Sequence, residues 1–145
     1  MRTIVAGSRT ITDYGIVKRG IERIISAGFK ITEIVGGEAK GVDTLARQWA
    51  EENNIPFTPF PADWSNLNHE DAVIKTRFDG TVYDAKAGLR RNEYMAKYAS
   101  EVNIDNDQGQ LIAIIDCSGK SSGSRNMVET GKRYKLKVFL FEINK

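Results

Sequence analysis

The sequence predicts an α/β protein, a three-layer sandwich in which helices cover both faces of a mostly parallel five-stranded sheet. Three observations carry that prediction. Short apolar runs alternate with stretches of helical periodicity along the chain, the pattern of successive strand-helix-strand units. Leu111-Ile112-Ala113-Ile114-Ile115 has no polar position, as a central strand buried on both faces requires, whereas a half-solvated strand would alternate. The length of 145 residues suits one core, and no repeat or low-complexity linker divides it, so a single domain over residues 1–145 is expected.

The elements follow in order. Ile4-Val5-Ala6 is a strand entering a turn at Gly7, not a signal peptide. Residues 13–27 carry Val17, Ile21, Ile24 and Ile25 at helical spacing, and Ile31 to Val35 is the second strand. Val42, Leu45, Ala46, Trp49 and Ala50 then fall on one helical stripe, which places Trp49 in the core. Ile55 to Phe60 is a short third strand. Residues 61–87 contain Trp64, His69, Phe78 and Tyr83 without clear periodicity, and read as a long loop folded over one end of the sheet as a lid. A helix over 89–100, the strand Leu111 to Ile115, a helix over 123–134 and a strand from Val138 to Phe141 complete the order.

Composition narrows the function classes. With 41% hydrophobic and 28% charged residues the chain is globular in type. Its net charge of +2 is too balanced to mark a dedicated nucleic-acid binder. Residues 1–86 carry 11 basic and 12 acidic groups and residues 87–145 carry 10 and 7, so the mild excess lies in the second part. Cys117 is alone and builds no disulfide, which points to a reducing cytoplasm. The longest apolar runs fall far short of a membrane span.

Ligands of open parallel sheets bind outside the carboxyl ends of the strands, where strand order reverses. Four clusters fall at that expected edge: Gly7-Ser8-Arg9, then Gly36-Gly37-Glu38-Ala39-Lys40-Gly41-Val42-Asp43, then Gly88-Leu89-Arg90-Arg91-Asn92, and finally Asp116 through Ser124. Glycines admit positive φ and close approach of a ligand to backbone, and a following helix N-terminus presents free N–H groups and partial positive charge. Phosphate is the natural guest, with Ser8, Ser121, Ser122 and Ser124 as hydroxyl donors and Arg9, Arg91 and Lys120 as charge.

Plainer readings stand beside these. Glycine and serine after strands also form ordinary turns and caps. Asp43 is either a first-turn acid or an acceptor for ribose hydroxyls, and Trp64 either plugs the sheet edge or stacks on a base. Arg90 reads as a solvated neighbour of Arg91, and Cys117 as a packed small residue. Lys132 to Lys137 complements a helix C-terminus. Gly119-Lys120-Ser121 is no P-loop, because the required first glycine falls at Ile114, and no Gly-x-Gly-x-x-Gly supports a dinucleotide fingerprint. His69 with Glu70 and Asp71 does not make a metal set, so neither a metal nor a cofactor is expected.

The ordered combination of Thr3-Ile4-Val5-Ala6-Gly7-Ser8-Arg9, Gly36-Gly37-x-x-x-Gly41-Val42-Asp43-x-Leu45-Ala46, Ala62-Asp63-Trp64, Ala87-Gly88-x-x-Arg91-Asn92-x-x-Met95 and Gly119-x-Ser121-x-Gly123-Ser124-x-x-Met127 resembles the SLOG superfamily. That superfamily includes DNA-processing protein A and the "Lonely guy" phosphoribohydrolases, and the closer likeness is to its small YspA/YpsA-related branch. The resemblance implies a Rossmann-like sheet whose glycine loops hold a nucleotide or a nucleotide-derived ligand. In the phosphoribohydrolases an Arg-Lys-x-x-Met segment supplies a catalytic arginine, and a glycine-rich segment ending in glutamate supplies phosphate-binding amides and a catalytic carboxylate. Arg91-Asn92-x-x-Met95 keeps the arginine, whereas Met127 stands where the glutamate would be. Glu129 lies two residues on, roughly 200° around a helix and on the opposite face.

Three functions follow. In the leading one the chain is a sensor or sequestering module for a phosphorylated nucleoside or related small molecule. Gly119, Lys120, Ser121, Gly123 and Ser124 hold the phosphate, Arg91 and Arg9 clamp it, Gly36, Gly37, Gly41 and Asp43 meet the sugar or base, and Gly7, Ser8 and Asn92 complete the lining. In the second, the chain is an N-glycosidase acting on a nucleoside monophosphate, with Arg91 positioning the substrate and Glu38, Asp43 or Asp116 as the acid-base group. The third is single-stranded DNA binding, resting on the basic second part and Trp64. The resemblance also implies homodimerisation, without a residue that specifies the interface.

Overall fold

The computed structural model describes residues 1–37, 40–101, 109–119 and 122–143. In chain order the elements are β1 (Arg2–Gly7), α1 (Tyr14–Ser26), β2 (Glu33–Gly36), α2 (Val42–Glu52), β3 (Phe57–Pro59), β4 (Ile74–Thr76), β5 (Val82–Asp84), α3 (Ala87–Ser100), β6 (Gln110–Asp116), α4 (Ser122–Arg133) and β7 (Lys137–Ile143). Five strands form one all-parallel sheet in the order β3-β2-β1-β6-β7. The chain runs outward from β1 to β2 and β3, then returns to fill the other side with β6 and β7. Strand order therefore reverses between β1 and β6, which pair with Gly7 opposite Ile114, and their carboxyl ends open a crevice there.

Two hydrophobic layers sandwich the sheet. Val5, Ile112 and Ile114 face α1 and α2 and pack among Val17, Ile21, Ile24, Val42, Ala46 and Trp49. Ile4, Ala6, Leu111 and Ala113 face the other way, against Met95, Ala96 and Ala99 of α3 and Met127 and Val128 of α4. Successive residues of β6 thus enter opposite cores, and a polar side chain on either face would be buried without water. That is why Leu111 to Ile115, the middle of the strand, is apolar throughout. Burying each large side chain of this kind contributes about 1.5–3 kcal/mol.

Boundaries shift by one or two residues from the sequence reading. The second strand begins at Glu33 rather than Ile31, because its ladder with β1 starts where Arg2 meets Glu33. Helix α1 starts beyond Asp13, whose side chain accepts the Gly15 N–H at 2.9 Å and caps it. Helix α3 begins at Ala87, two residues before the expected start. No helix among the described residues is long and apolar enough to cross a membrane.

Residues 61–87 contain an element the sequence reading missed. β4 and β5 pair antiparallel, Ile74 opposite Asp84 and Thr76 opposite Val82. Their turn closes through Arg77 N–H to Thr81 O at 2.7 Å and Gly80 N–H to Arg77 O at 2.9 Å, while Asp79 Oδ1 accepts from both Thr81 N and Thr81 Oγ1. Gly80 sits at φ +90°, which glycine adopts without cost. Three-residue strands are too short for apolar alternation to register. The Asp79-Gly80 pair between two brief β-type runs was the available signal.

The segment is anchored by Asp84, which is fully buried. Its Oδ1 accepts the Val73 and Lys86 N–H groups at 3.1 and 2.9 Å, and its Oδ2 accepts Arg90 Nη1 at 2.8 Å. Arg90 also pairs with Asp71. Its side chain is 12% exposed, so the expectation of a solvated Arg90 is corrected: it rivets residues 71–86 to α3. Burial alone would push the Asp84 carboxyl up, but Arg90 and the two backbone donors hold it below the usual aspartate range.

Candidate functional site

Close packing at the carboxyl ends of the strands builds the site. A Cβ on Gly7 would overlap the Ile114 carbonyl oxygen and come within 2.6 Å of Val42 Cγ2, so only glycine lets β1 end this close to β6 and α2. The buried Ser8 then ties the crevice together. Its N–H donates to Ile114 O at 3.1 Å, its carbonyl accepts from Val42 N at 3.4 Å, and its Oγ accepts from Asp116 N at 2.8 Å. Gly41 caps α2 at φ +79°, where a Cβ would stand 2.6 Å from Arg9 Cα. The loops after β1 and β2 thus cross in contact, and α2 starts at the crevice.

A cleft of about 370 Å³ opens there. One wall is the turn from Gly7 to Thr10 with Asp43 from the first turn of α2. The other is Arg91, Asn92 and Met95 of α3 with Ser122, Gly123, Ser124 and Met127 of α4, and Trp64 borders the opening. All four sequence clusters contribute directly, together with the N-terminal turns of α2 and α4.

Arg91 is the best-defined cation. Its Nη1 donates to Gly37 O at 2.6 Å and to Phe60 O at 3.4 Å, and its Nε donates to Asn92 Oδ1 at 3.1 Å. Nη2 has no hydrogen-bond partner among the described residues, although the group lines the cleft. Burial lowers the guanidinium pKa, the Asp43 charge raises it, and Arg9 lowers it. The cation is held in place, partly desolvated and only partly compensated, the condition in which an anion gains most.

Asn92 works through its neighbours. Its Nδ2 donates to Asn126 Oδ1 at 3.0 Å and Gly123 O at 3.3 Å while its Oδ1 takes the Arg91 Nε–H, so it fixes the arginine against the first turn of α4. Gly123 itself has open space where a Cβ would be, with no described atom within 4 Å. Nothing in the packing around it calls for glycine. Asp43 is 6% exposed, and its Oδ2 lies 3.0 Å from the Cβ position of Gly37.

A second cleft of about 380 Å³ adjoins the first and shares Arg9, Arg91 and Trp64 with it. Lys40, Gly37, Pro61 and Ala62 complete its lining. Trp64 both packs and borders the clefts: its Cη2 lies 3.0 Å from the Cβ position of Gly88, and its ring meets Tyr83 edge-on with centroids 6.2 Å apart.

Other expected residues lie elsewhere. Asp116 is buried behind the crevice, where Oδ1 accepts from Ser118 N and Oγ at 2.9 and 2.6 Å and Oδ2 accepts from Thr10 Oγ1 at 2.9 Å. Its carboxylate shapes a turn and does not line the cleft. Gly36 makes room for the Phe57 ring, 2.9 Å from its Cβ position, and Gly119 is exposed in the Asp116 turn. Glu38, Lys120 and Ser121 fall outside the described residues. Cys117 is exposed rather than packed, and its hydrogen bond to Glu142 pushes the thiol pKa up.

Thr10, Lys40, Met95 and Met127 are lining residues that the sequence reading did not assign to the ligand. Met127 and Met95 occupy apolar helical positions indistinguishable from core, which they also serve. The Met127 site does face the cleft, and Glu129 is exposed and pairs with Lys132 at 3.8 Å.

Among known proteins, the model of a family described as YAcAr, the YspA, cpYpsA-related SLOG family, matches residues 1–67. No curated protein and no solved structure matches the chain.

Proposed function

We propose that this chain, whose residues 1–67 match the model of the YspA, cpYpsA-related SLOG family and so suggest a nucleotide-related binding or processing role, binds a phosphorylated nucleoside or nucleotide-derived ligand in the cleft between β1 and β6. The observation that carries this reading is Arg91, locked by Gly37, Phe60 and Asn92 with Nη2 unsatisfied among the described residues. The phosphate sits between Arg91 and the first turn of α4, where backbone N–H groups and the helix dipole add to the charge. Gly123 lets the phosphate approach bare backbone. Asp43 accepts the ribose hydroxyls, and binding serves sensing or sequestration.

Asp43 also supports a second reading, hydrolysis of the N-glycosidic bond of a nucleoside monophosphate. It is the carboxylate that lines the cleft among the described residues, and a carboxylate beside the sugar stabilises developing oxocarbenium charge. Asp116, committed to Ser118 and Thr10, serves this chemistry poorly.

Thermal shift and calorimetry with a panel of nucleoside 5′-phosphates test the first reading, since a ligand of the native state raises its melting temperature. Chromatography of the same mixtures for free base tests the second. No shift with any nucleotide at high concentration removes both.

A further inference from the structure

The second cleft lies outside the mononucleotide site and has a different chemistry. Arg9, Lys40 and Arg91 line it, and no carboxylate among the described residues does. Arg9 and Lys40 form no ion pair with any described residue. Trp64 supplies an aromatic wall at the junction of the two clefts. Each cleft alone reaches the lower part of the range of about 300–1,000 Å³ that small ligands occupy, so a mononucleotide fills the first and leaves the second empty. Cations without an ion-pair partner among the described residues, converging on a cavity with an aromatic wall, fit a phosphate attached to a sugar or base. Arg91 faces both clefts and can bridge them.

We propose that the second cleft is a subsite for a second phosphate-bearing part of the same ligand, so that the molecule recognised carries two phosphate groups on a nucleotide framework. The proposal rests on the nucleotide reading of the first cleft. Such chemistry has two sources, a 5′-phosphorylated dinucleotide and a nucleoside diphosphate sugar.

Calorimetry of the wild-type chain with the four 5′-mononucleotides, the matching 5′-phosphorylated homodinucleotides and ADP-ribose provides the test. A two-phosphate ligand is expected to bind about 10-fold or more tightly than the mononucleotide of the same base. Lys40→Ala removes a cation found only in the second cleft, and Ala62→Glu places a carboxylate there. Both should bring that ratio close to one while leaving mononucleotide affinity within about 3-fold. Preference for the dinucleotide or for ADP-ribose identifies the source, and either supports the subsite. Equal affinity for one- and two-phosphate ligands, or a ratio that survives both substitutions, overturns the subsite and leaves the mononucleotide site standing. Absence of binding by every compound overturns the nucleotide reading and the subsite with it.

Discussion

Arg91 Nη1 donates to the Gly37 carbonyl at 2.6 Å, and a Cβ on residue 37 would overlap that same nitrogen. The glycine after β2 is therefore the seat of the arginine from α3, and two sequence clusters some fifty positions apart form one unit. Gly37 is not among the positive-φ glycines, so the demand on it is spatial. Gly37→Ala should displace Arg91, destabilise the fold by about 1–3 kcal/mol and weaken nucleotide binding by about 10-fold or more. Urea unfolding and calorimetry measure the two effects, and unchanged affinity would mean that the seat does not set the cation.

Gly123 leads to the opposite combination. It lies in the first turn of α4, with open space where its Cβ would stand and no positive φ. Gly123→Ala should raise stability by up to about 1 kcal/mol, as alanine does in helices. A methyl group facing the cleft should at the same time obstruct the phosphate. A melting temperature that rises while nucleotide affinity falls is the expected pair of results, and a gain in both would remove Gly123 from the ligand surface.

Much of this was legible in the sequence because strand-helix alternation and wholly apolar runs report directly on two-sided burial. Ile112 and Ile114 must face one core and Leu111 and Ala113 the other, and no other arrangement suits that run of residues. The glycine clusters likewise marked the strand ends. What stayed hidden were relations across loops. Nothing near Asp116 in sequence announces Thr10 as its partner, and nothing near Arg90 announces Asp84 and Asp71. Identical side chains at adjacent positions thus divide their work by which neighbour the fold brings them, Arg90 to an internal ion pair and Arg91 to the cleft.

The Asp84 anchor gives the chain an acid-sensitive element. With a folded pKa below that of the unfolded chain, the carboxylate contributes stability that is complete above the ordinary aspartate value of about 3.9. As pH falls through the lower folded value the unfolded state binds the extra proton first, and that contribution is lost. Urea midpoints should therefore decline from about pH 5 downward. Asp84→Asn should lower the midpoint at neutral pH and flatten the decline, and a slope equal to that of the wild-type chain would assign the acid sensitivity to other carboxylates.

Asp43 separates binding from catalysis. Its carboxylate lies in the cleft beside Arg91, and on the binding reading it accepts ribose hydroxyls, so ribonucleotides should bind more tightly than their 2′-deoxy counterparts. A hydrogen bond to a charged acceptor contributes about 1.5–3 kcal/mol against about 0.5–1.5 for a neutral one. Asp43→Asn keeps the shape and an acceptor oxygen but removes the charge, and should narrow the ribose preference by about 3- to 10-fold without abolishing binding. Incubation of both proteins with the preferred nucleotide, followed by chromatography, reads the alternative. Free base released by the wild-type chain and lost in Asp43→Asn would make this carboxylate the acid-base group of a hydrolase, whereas intact nucleotide with both proteins leaves it the sugar-recognition residue of a binding module.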